Sequence, residues 1–391
     1  MIGRIGRRRL AALAAPTIAA AGVGLGLNAL TASGGRVSNG PLRLTHGLDE
    51  FPKPFVRGRA VYGVGGRRQI DLAQQVSGAL MGPLSPVAIP SPNGRFVAYN
   101  AWVEHRAVDP ALSFSKQGIK EGDAIATPSV RVLDTTNGRD DLLAQGAYSV
   151  AWRRDGTVAY VEGVDQDFSA GREFAGRVVV RRGVHAAPVV WSQEPARWIV
   201  YGWAGRRLIV YRLSEGEHLD TFVFDGPGQL RLLAPGSVVA LSPNGSQAFV
   251  VAPDGAQARI LNVADGREAG NLDVRSATPS LEWIAYSGSW AGDHVVASTD
   301  RGLAVFRVGG GTIALEQVLG IQNGMLQEPR FVDASAREIA AVIGLGGESA
   351  GTNAIVDCDR VARTCVQGDP APAHEWLRLL DNPSRDDQGG S

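Results

Sequence analysis

Apolar and polar positions along most of the chain fall into one recurring figure. A short apolar run ends on a residue that is often aromatic. A tight polar turn follows, and then a second run rich in Val, Ala, Tyr or Phe. The clearest turns are Ser91-Pro92-Asn93-Gly94 after Pro90, Arg153-Arg154-Asp155-Gly156 after Trp152, and Ser242-Pro243-Asn244-Gly245 after Leu241. Looser instances begin at Trp191, Trp290 and Phe331. Most intervals lie near the period of about 40–50 residues expected of a propeller blade, and the one from Pro90 to Trp152 is longer.

Each instance is followed by a second strand-and-turn element. Residues 130–134 precede Asn137-Gly138, 208–211 precede Glu215-Gly216, 259–263 precede Asp265-Gly266, and 303–306 precede Gly309-Gly310. Short β-rich runs closed by such pairs are hairpin signals. No long segment of the body carries a helical period. Two hairpins per repeat make a four-stranded unit with two faces to cover, and stacking such units around an axis covers both. The expected fold is therefore all-β: a β-propeller of four-stranded blades, seven in number, with six as the alternative. Trp152, Trp191 and Trp290 are expected to fill the spaces between blades. One further blade is assembled from 59–64, a Gly65-Gly66 turn and 68–72, its first strand coming from 42–45 or from the C-terminal end.

The beginning of the chain breaks the pattern. Arg4, Arg7, Arg8 and Arg9 precede an uncharged, Ala- and Gly-rich stretch, and no acidic residue comes before Asp49. Basic, apolar and small residues in that order describe an export leader over residues 1–35, cleaved or kept as an anchor. Arg7-Arg8-Arg9-Leu10 resembles a twin-arginine signal. The propeller is expected over 40–380 and a polar, disordered tail over 381–391. An exported protein meets an oxidising compartment, where Cys358 and Cys365, flanking a short polar turn, are expected to pair as a disulfide.

Charge narrows the partners. The 39 basic and 39 acidic residues cancel, and no basic stripe with interleaved aromatics is present, so no nucleic acid is expected. Membrane contact is expected only through the N-terminal segment, and the chain reads as a monomer.

The Ser-Pro-Asn-Gly turns, each followed by an apolar strand and then by a strand ending in Asp or Asn-Val before a Gly turn, resemble the TolB-type propeller repeat. They are similar in a broad sense to WD-like repeats, although Trp-Asp strand ends and paired Gly-His starts are missing. The resemblance covers roughly residues 55–367 and implies architecture and a bacterial, exported protein. TolB carries an α/β domain ahead of its propeller; the short stretch between leader and first strand signals is too small for one, so TolB's role in the envelope is not implied.

Signatures of chemistry are sparse. There is no Gly-x-Ser-x-Gly elbow and no phosphate loop. The six histidines, His46, His105, His185, His218, His294 and His374, form no close pair. Asp165-Gln166-Asp167 alternates oxygens, but lacks the Gly and Glu of a calcium loop. No cofactor and no catalytic residue are expected. A metal site with one ligand per blade, as in propeller lactonases and lyases, stays open as the alternative. The informative segments are two long links between second and third strands. Residues 103–128 include Glu104, His105, Asp109, Lys116, Lys120 and Asp123, and residues 162–176 include Glu162, Asp165, Asp167 and Arg172. Both are expected on one face, together with a smaller Gly-rich link at 344–352, and lengthened loops on one face are where a protein or glycan partner would bind.

Overall fold

The structure, a computed structural model, describes residues 38–63, 65–66, 68–72, 88–106, 124–165, 175–214, 219–277, 284–322, 324–345, 352–372 and 377–380. An N-terminal strand, β1 (Ser38–His46), stands apart. Then come β2 (Phe55–Arg57), β3 (Ala60–Tyr62) and β4 (Arg68–Asp71), followed by β5 (Ala88–Pro90), β6 (Phe96–Arg106), β7 (Ala124–Asp134) and β8 (Arg139–Gln145). The next meander is β9 (Ala147–Trp152), β10 (Val158–Asp165), β11 (Ala175–Arg181) and β12 (Val189–Val190). After it come β13 (Trp198–Ala204), β14 (Arg207–Leu213), β15 (Leu219–Gly226) and β16 (Gln229–Pro235). β17 (Ser237–Leu241), β18 (Gln247–Val251), β19 (Gln257–Asn262) and β20 (Glu268–Asp273) follow, with one helical turn, α1 (Val274–Ala277). The last meanders are β21 (Ile284–Ala291), β22 (His294–Thr299), β23 (Gly302–Gly309) and β24 (Thr312–Ile321), then β25 (Gly324–Phe331), β26 (Glu338–Leu345), β27 (Thr352–Asp359) and β28 (Thr364–Gln367). Two short strands, β29 (Ala371–Pro372) and β30 (Leu377–Leu379), end the described chain.

Five antiparallel four-stranded sheets are separate. One has the order β30-β2-β3-β4, so its first strand comes from the C-terminal end, with Phe55 opposite Leu379. Residues 42–45, the other source considered for that strand, lie in β1. This strand runs parallel to β24 from Ser38 to Leu42 and then parallel to β28 from Arg43 to His46. It thereby joins the two last meanders into one ten-stranded sheet, whose only other paired link among the described residues is Ile321–Gly324 at the end of β24 and start of β25.

The core lies between sheets rather than within any one of them. A strand offers alternate side chains to its two faces, and here each face meets the next sheet in turn. Val56 and Val61 pack with Tyr99 and Leu133, Ala98 and Val132 with Val150 and Tyr160, and Ala159 and Val178 with Val200 and Phe224. Ile209 and Val223 meet Val238 and Val250; Phe249 and Ile260 meet Ala297 and Phe306. Val296 and Leu319 meet Ile339 and Val356. Ala340 and Ile355 meet Phe55 and Leu377, which returns the circuit to the first sheet. A closed circuit of twisted sheets with a core in every seam is a β-propeller. Each fully buried large side chain contributes roughly 1.5–3 kcal/mol.

The repeated turn is held by its own residues. Asn93 Oδ1 accepts from the Arg95 backbone N–H at 3.1 Å, and Ser91 Oγ accepts from the Phe96 N–H at 2.8 Å. Ser242 and Asn244 repeat both bonds at 2.9 Å. Gly245 has φ of +68°, and a Cβ there would sit 3.0 Å from Ala204 Cα in the neighbouring sheet.

One instance of the sequence pattern is out of phase. Trp191 follows an outer strand, β12; the residue that precedes the first-to-second turn of the next sheet is Trp203, near the end of β13. The Glu215-Gly216 pair lies outside the described residues, between β14 and β15 in the chain. Two of the in-phase tryptophans latch neighbouring sheets. Trp152 Nε1 donates to Ile89 O at 3.0 Å, and Trp203 Nε1 donates to Ala151 O at 3.4 Å.

Candidate binding face

The long links project from the sheets as paired strands. β6 and β7 stay in register from Phe96–Asp134 to Arg106–Ala124. On one side β5 pairs only as far as Tyr99, and on the other β8 pairs only from Ser129 onward. The stretch from Trp102–Pro128 to Arg106–Ala124 is therefore a two-stranded ribbon with no sheet neighbour among the described residues, extending on the order of 15 Å at about 3.4 Å per residue. Glu104 pairs with Ala126 and His105 with Ile125, so both are strand residues and not the loop residues the sequence suggests. The apolar and β-branched content of 125–132 carries the ladder past the sheet edge.

The neighbouring sheet repeats this on a smaller scale. Glu162, half-buried, pairs with both Ala147 and Arg177, and Asp165 pairs with Ala175 at the tip of the β10–β11 ladder. Glu162 and Asp165 are again strand residues. Asp109, Lys116, Lys120, Asp123, Asp167 and Arg172 lie outside the described residues, as do the leader, the tail after Leu380 and the centre of the 344–352 link. In an antiparallel meander, links between second and third strands share a face with the links between sheets, so both ribbons rise on one face.

Polar clusters sit elsewhere. Within the second sheet Arg131 Nε donates to Asp140 Oδ1 at 2.8 Å, and the Tyr99 hydroxyl donates to Asp140 Oδ2. At the opposite, short-turn end, His294 lies between Asp293 (2.7 Å from Nδ1) and Glu316 (3.2 Å from Nε2). Arg360 crosses that seam, donating to Gln317 Oε1 at 3.1 Å and to Ala336 O at 2.6 Å. Burial alone would raise the Asp293 carboxyl; the charges of His294 and Arg307 outweigh it and hold it below its usual range. These groups bond one another and brace the seam. Asp357 differs: burial, together with the charges of Glu338 and Asp359, pushes it up to about 6. Its Oδ1 is buried without a hydrogen-bond partner among the described residues. No group of three or more His, Cys, Asp or Glu side chains among the described residues could hold a metal ion.

Cys358 and Cys365 face each other across β27 and β28 and form a disulfide, both fully buried. β1 lies on its outer side, where Leu44 pairs with Cys365 and Thr45 Oγ1 donates to Cys365 O at 3.2 Å. No helix among the described residues is long and apolar enough to cross a membrane.

No protein-family profile and no curated protein matches the chain. Solved structures similar to it include the Swd1 β-propeller domain of Myceliophteria thermophila, at 10% identity and TM-score 0.46, covering 76% of this chain and 89% of that one. A putative 6-phosphogluconolactonase from Bacteroides fragilis is similar at 15% identity and TM-score 0.44, covering 84% and 98%. TolB from Acinetobacter baumannii is similar at 12% identity and TM-score 0.37, covering 73% and 68%. The propeller rests on this chain's own strand order and seams, and no activity of those proteins is carried over.

Proposed function

We propose that this chain is an exported, seven-bladed β-propeller that holds a protein partner on the face bearing the β6–β7 and β10–β11 ribbons, without chemistry of its own. The count takes the ten-stranded sheet as two blades joined by β1, and it matches the seven seams. The observation that carries the proposal is the β6–β7 ribbon. Its ladder leaves the sheet and keeps two backbone edges without sheet partners among the described residues, an arrangement suited to adding a strand from another protein. Export is supported by the Arg-led apolar leader and by the Cys358–Cys365 disulfide, which persists in an oxidising compartment.

The test is site-specific photocrosslinking in the native cell. A crosslinking residue replaces Glu104 on the ribbon, or Arg154 on the short-turn face, in the full chain. A defined protein adduct formed from position 104 and not from position 154 supports the proposal. Adducts at neither position, or the same adducts at both, sink it.

A further inference from the structure

Trp290 occupies the position that Trp152 and Trp203 hold in their sheets, but it does not latch. Those two indoles donate backward across a seam to the penultimate carbonyl of the preceding inner strand, Ile89 O and Ala151 O. The corresponding acceptor for Trp290 would be Ala240 O. Instead Trp290 Nε1 donates to Gly292 O, within its own turn, at 3.1 Å. The seam between the β17–β20 and β21–β24 sheets is left open at its short-turn end. A pocket of ≈ 150 Å³ results, lined by Gln247, Ile260, Ala269, Trp290, Val308 and the glycine turn 309–311.

The lining is chemically specific. Ile260 and Val308 are buried core residues and form an aliphatic floor. The Trp290 ring is partly exposed, and its N–H is already satisfied, so it offers an apolar surface rather than a donor. Gln247 is half-buried, and among the described residues its carboxamide makes no hydrogen bond. Cβ atoms placed on Gly309 and Gly310 would meet nothing within 4 Å, so the rim leaves room for a ligand to approach the backbone. No charged side chain among the described residues lines the pocket. Its volume lies below the range of about 300–1,000 Å³ typical of drug-sized ligands, which suits a single ring.

We infer that this pocket binds one neutral sugar ring, the exposed unit of a glycan, with the apolar face of the ring on Trp290 and its hydroxyls on Gln247 and the 309–311 backbone. The free carboxamide decides between candidates. It carries both donors and an acceptor, which hydroxyls satisfy together. An aliphatic or proline side chain of a peptide would bury the carboxamide unpaired, at a cost. The site lies on the face opposite the ribbons, so it stands or falls separately from the protein partner proposed for them.

The experiment follows the indole N–H resonance of Trp290 in the isotope-labelled full chain, assigned through Trp290→Phe. Maltose and N,N′-diacetylchitobiose are the neutral sugar probes, and N-acetyl-L-prolinamide is the peptide-ring probe. A saturable shift with either sugar, weakened about tenfold or more in Gln247→Ala, is the expected result. Because that carboxamide bonds nothing described in the protein, Gln247→Ala leaves the fold intact. A resonance unmoved by both sugars up to about 50 mM, a response to the prolinamide alone, or undiminished sugar binding in Gln247→Ala overturns the assignment.

Discussion

The outer edges of the sheets are treated in two opposite ways. On one side of the ring, β24 and β28 are covered by β1, which hydrogen-bonds both and buries Leu42 to 4% exposure. On the other side, β8, β12 and β16 face outward with Leu142, Val189, Val190, Leu230 and Leu232 exposed. The covered side also carries the disulfide and the Arg360 bridge between its sheets. The open side carries the ribbons. The segregation suits a display protein: one arc of the ring is fastened, and the other is left with surface to offer.

The largest effect should come from undoing the fastening strand. Leu42→Ala removes a side chain buried in the seam between the β21–β24 and β25–β28 meanders and is expected to cost about 2–4 kcal/mol in denaturant unfolding. Leu142→Ala, the same change on the open side, should stay within about 0.5 kcal/mol. Equal losses at the two positions would break the comparison. Next comes the disulfide. Replacing Cys358 and Cys365 by Ser should cost roughly 2–3 kcal/mol by the loop-entropy estimate for a separation of 7 residues. Treatment of the native protein with reductant should approach the same loss only once β1 has been loosened, since the sulfurs lie beneath it.

A smaller effect of opposite sign should come from Asp357. With its folded pKa raised to about 6, the native state holds a proton that the unfolded state releases near pH 4. Its contribution to stability is therefore full below about pH 4 and is lost as pH rises through about 6. Asp357→Asn should stabilise the protein by roughly 1–2 kcal/mol above pH 6, the figure being reduced for the group's partial exposure. The gain should fade toward pH 4. A pH series of unfolding free energies with no such convergence would remove Asp357 as the source of strain on the fastened side.

Local signals accounted for much of this architecture. The Ser-Pro-Asn-Gly turns could be read because their geometry is made by their own side chains. The cysteine pair could be read because a short polar turn lies between two strands. What escaped was set at long range. Trp191 carries the same aromatic-then-polar pattern as Trp152, and only strand order shows that it ends an outer strand. The placement of β1 between two outer edges has no local signature, since parallel pairing leaves no turn to mark it. Glu104, His105, Glu162 and Asp165 read as loop residues in sequence because a ladder that outruns its sheet looks, residue by residue, like an insertion. The Trp290 pocket escaped for a related reason. The residue fits the packing pattern, and only the direction of its indole N–H sets it apart.

The pairing of both chain ends has a consequence for how the molecule is made. Thr45 and Cys365, which bond each other, are 320 residues apart, and β2 waits for β30 at the far end. The earlier strands thus have partners synthesised about 320 residues later. Until the final segment emerges, the ring has no closing seam and β1 has no second edge to join. Such distant pairings slow folding and leave strand edges exposed meanwhile. A chain interrupted before residue 364 would keep its middle sheets and lose both of its joins together.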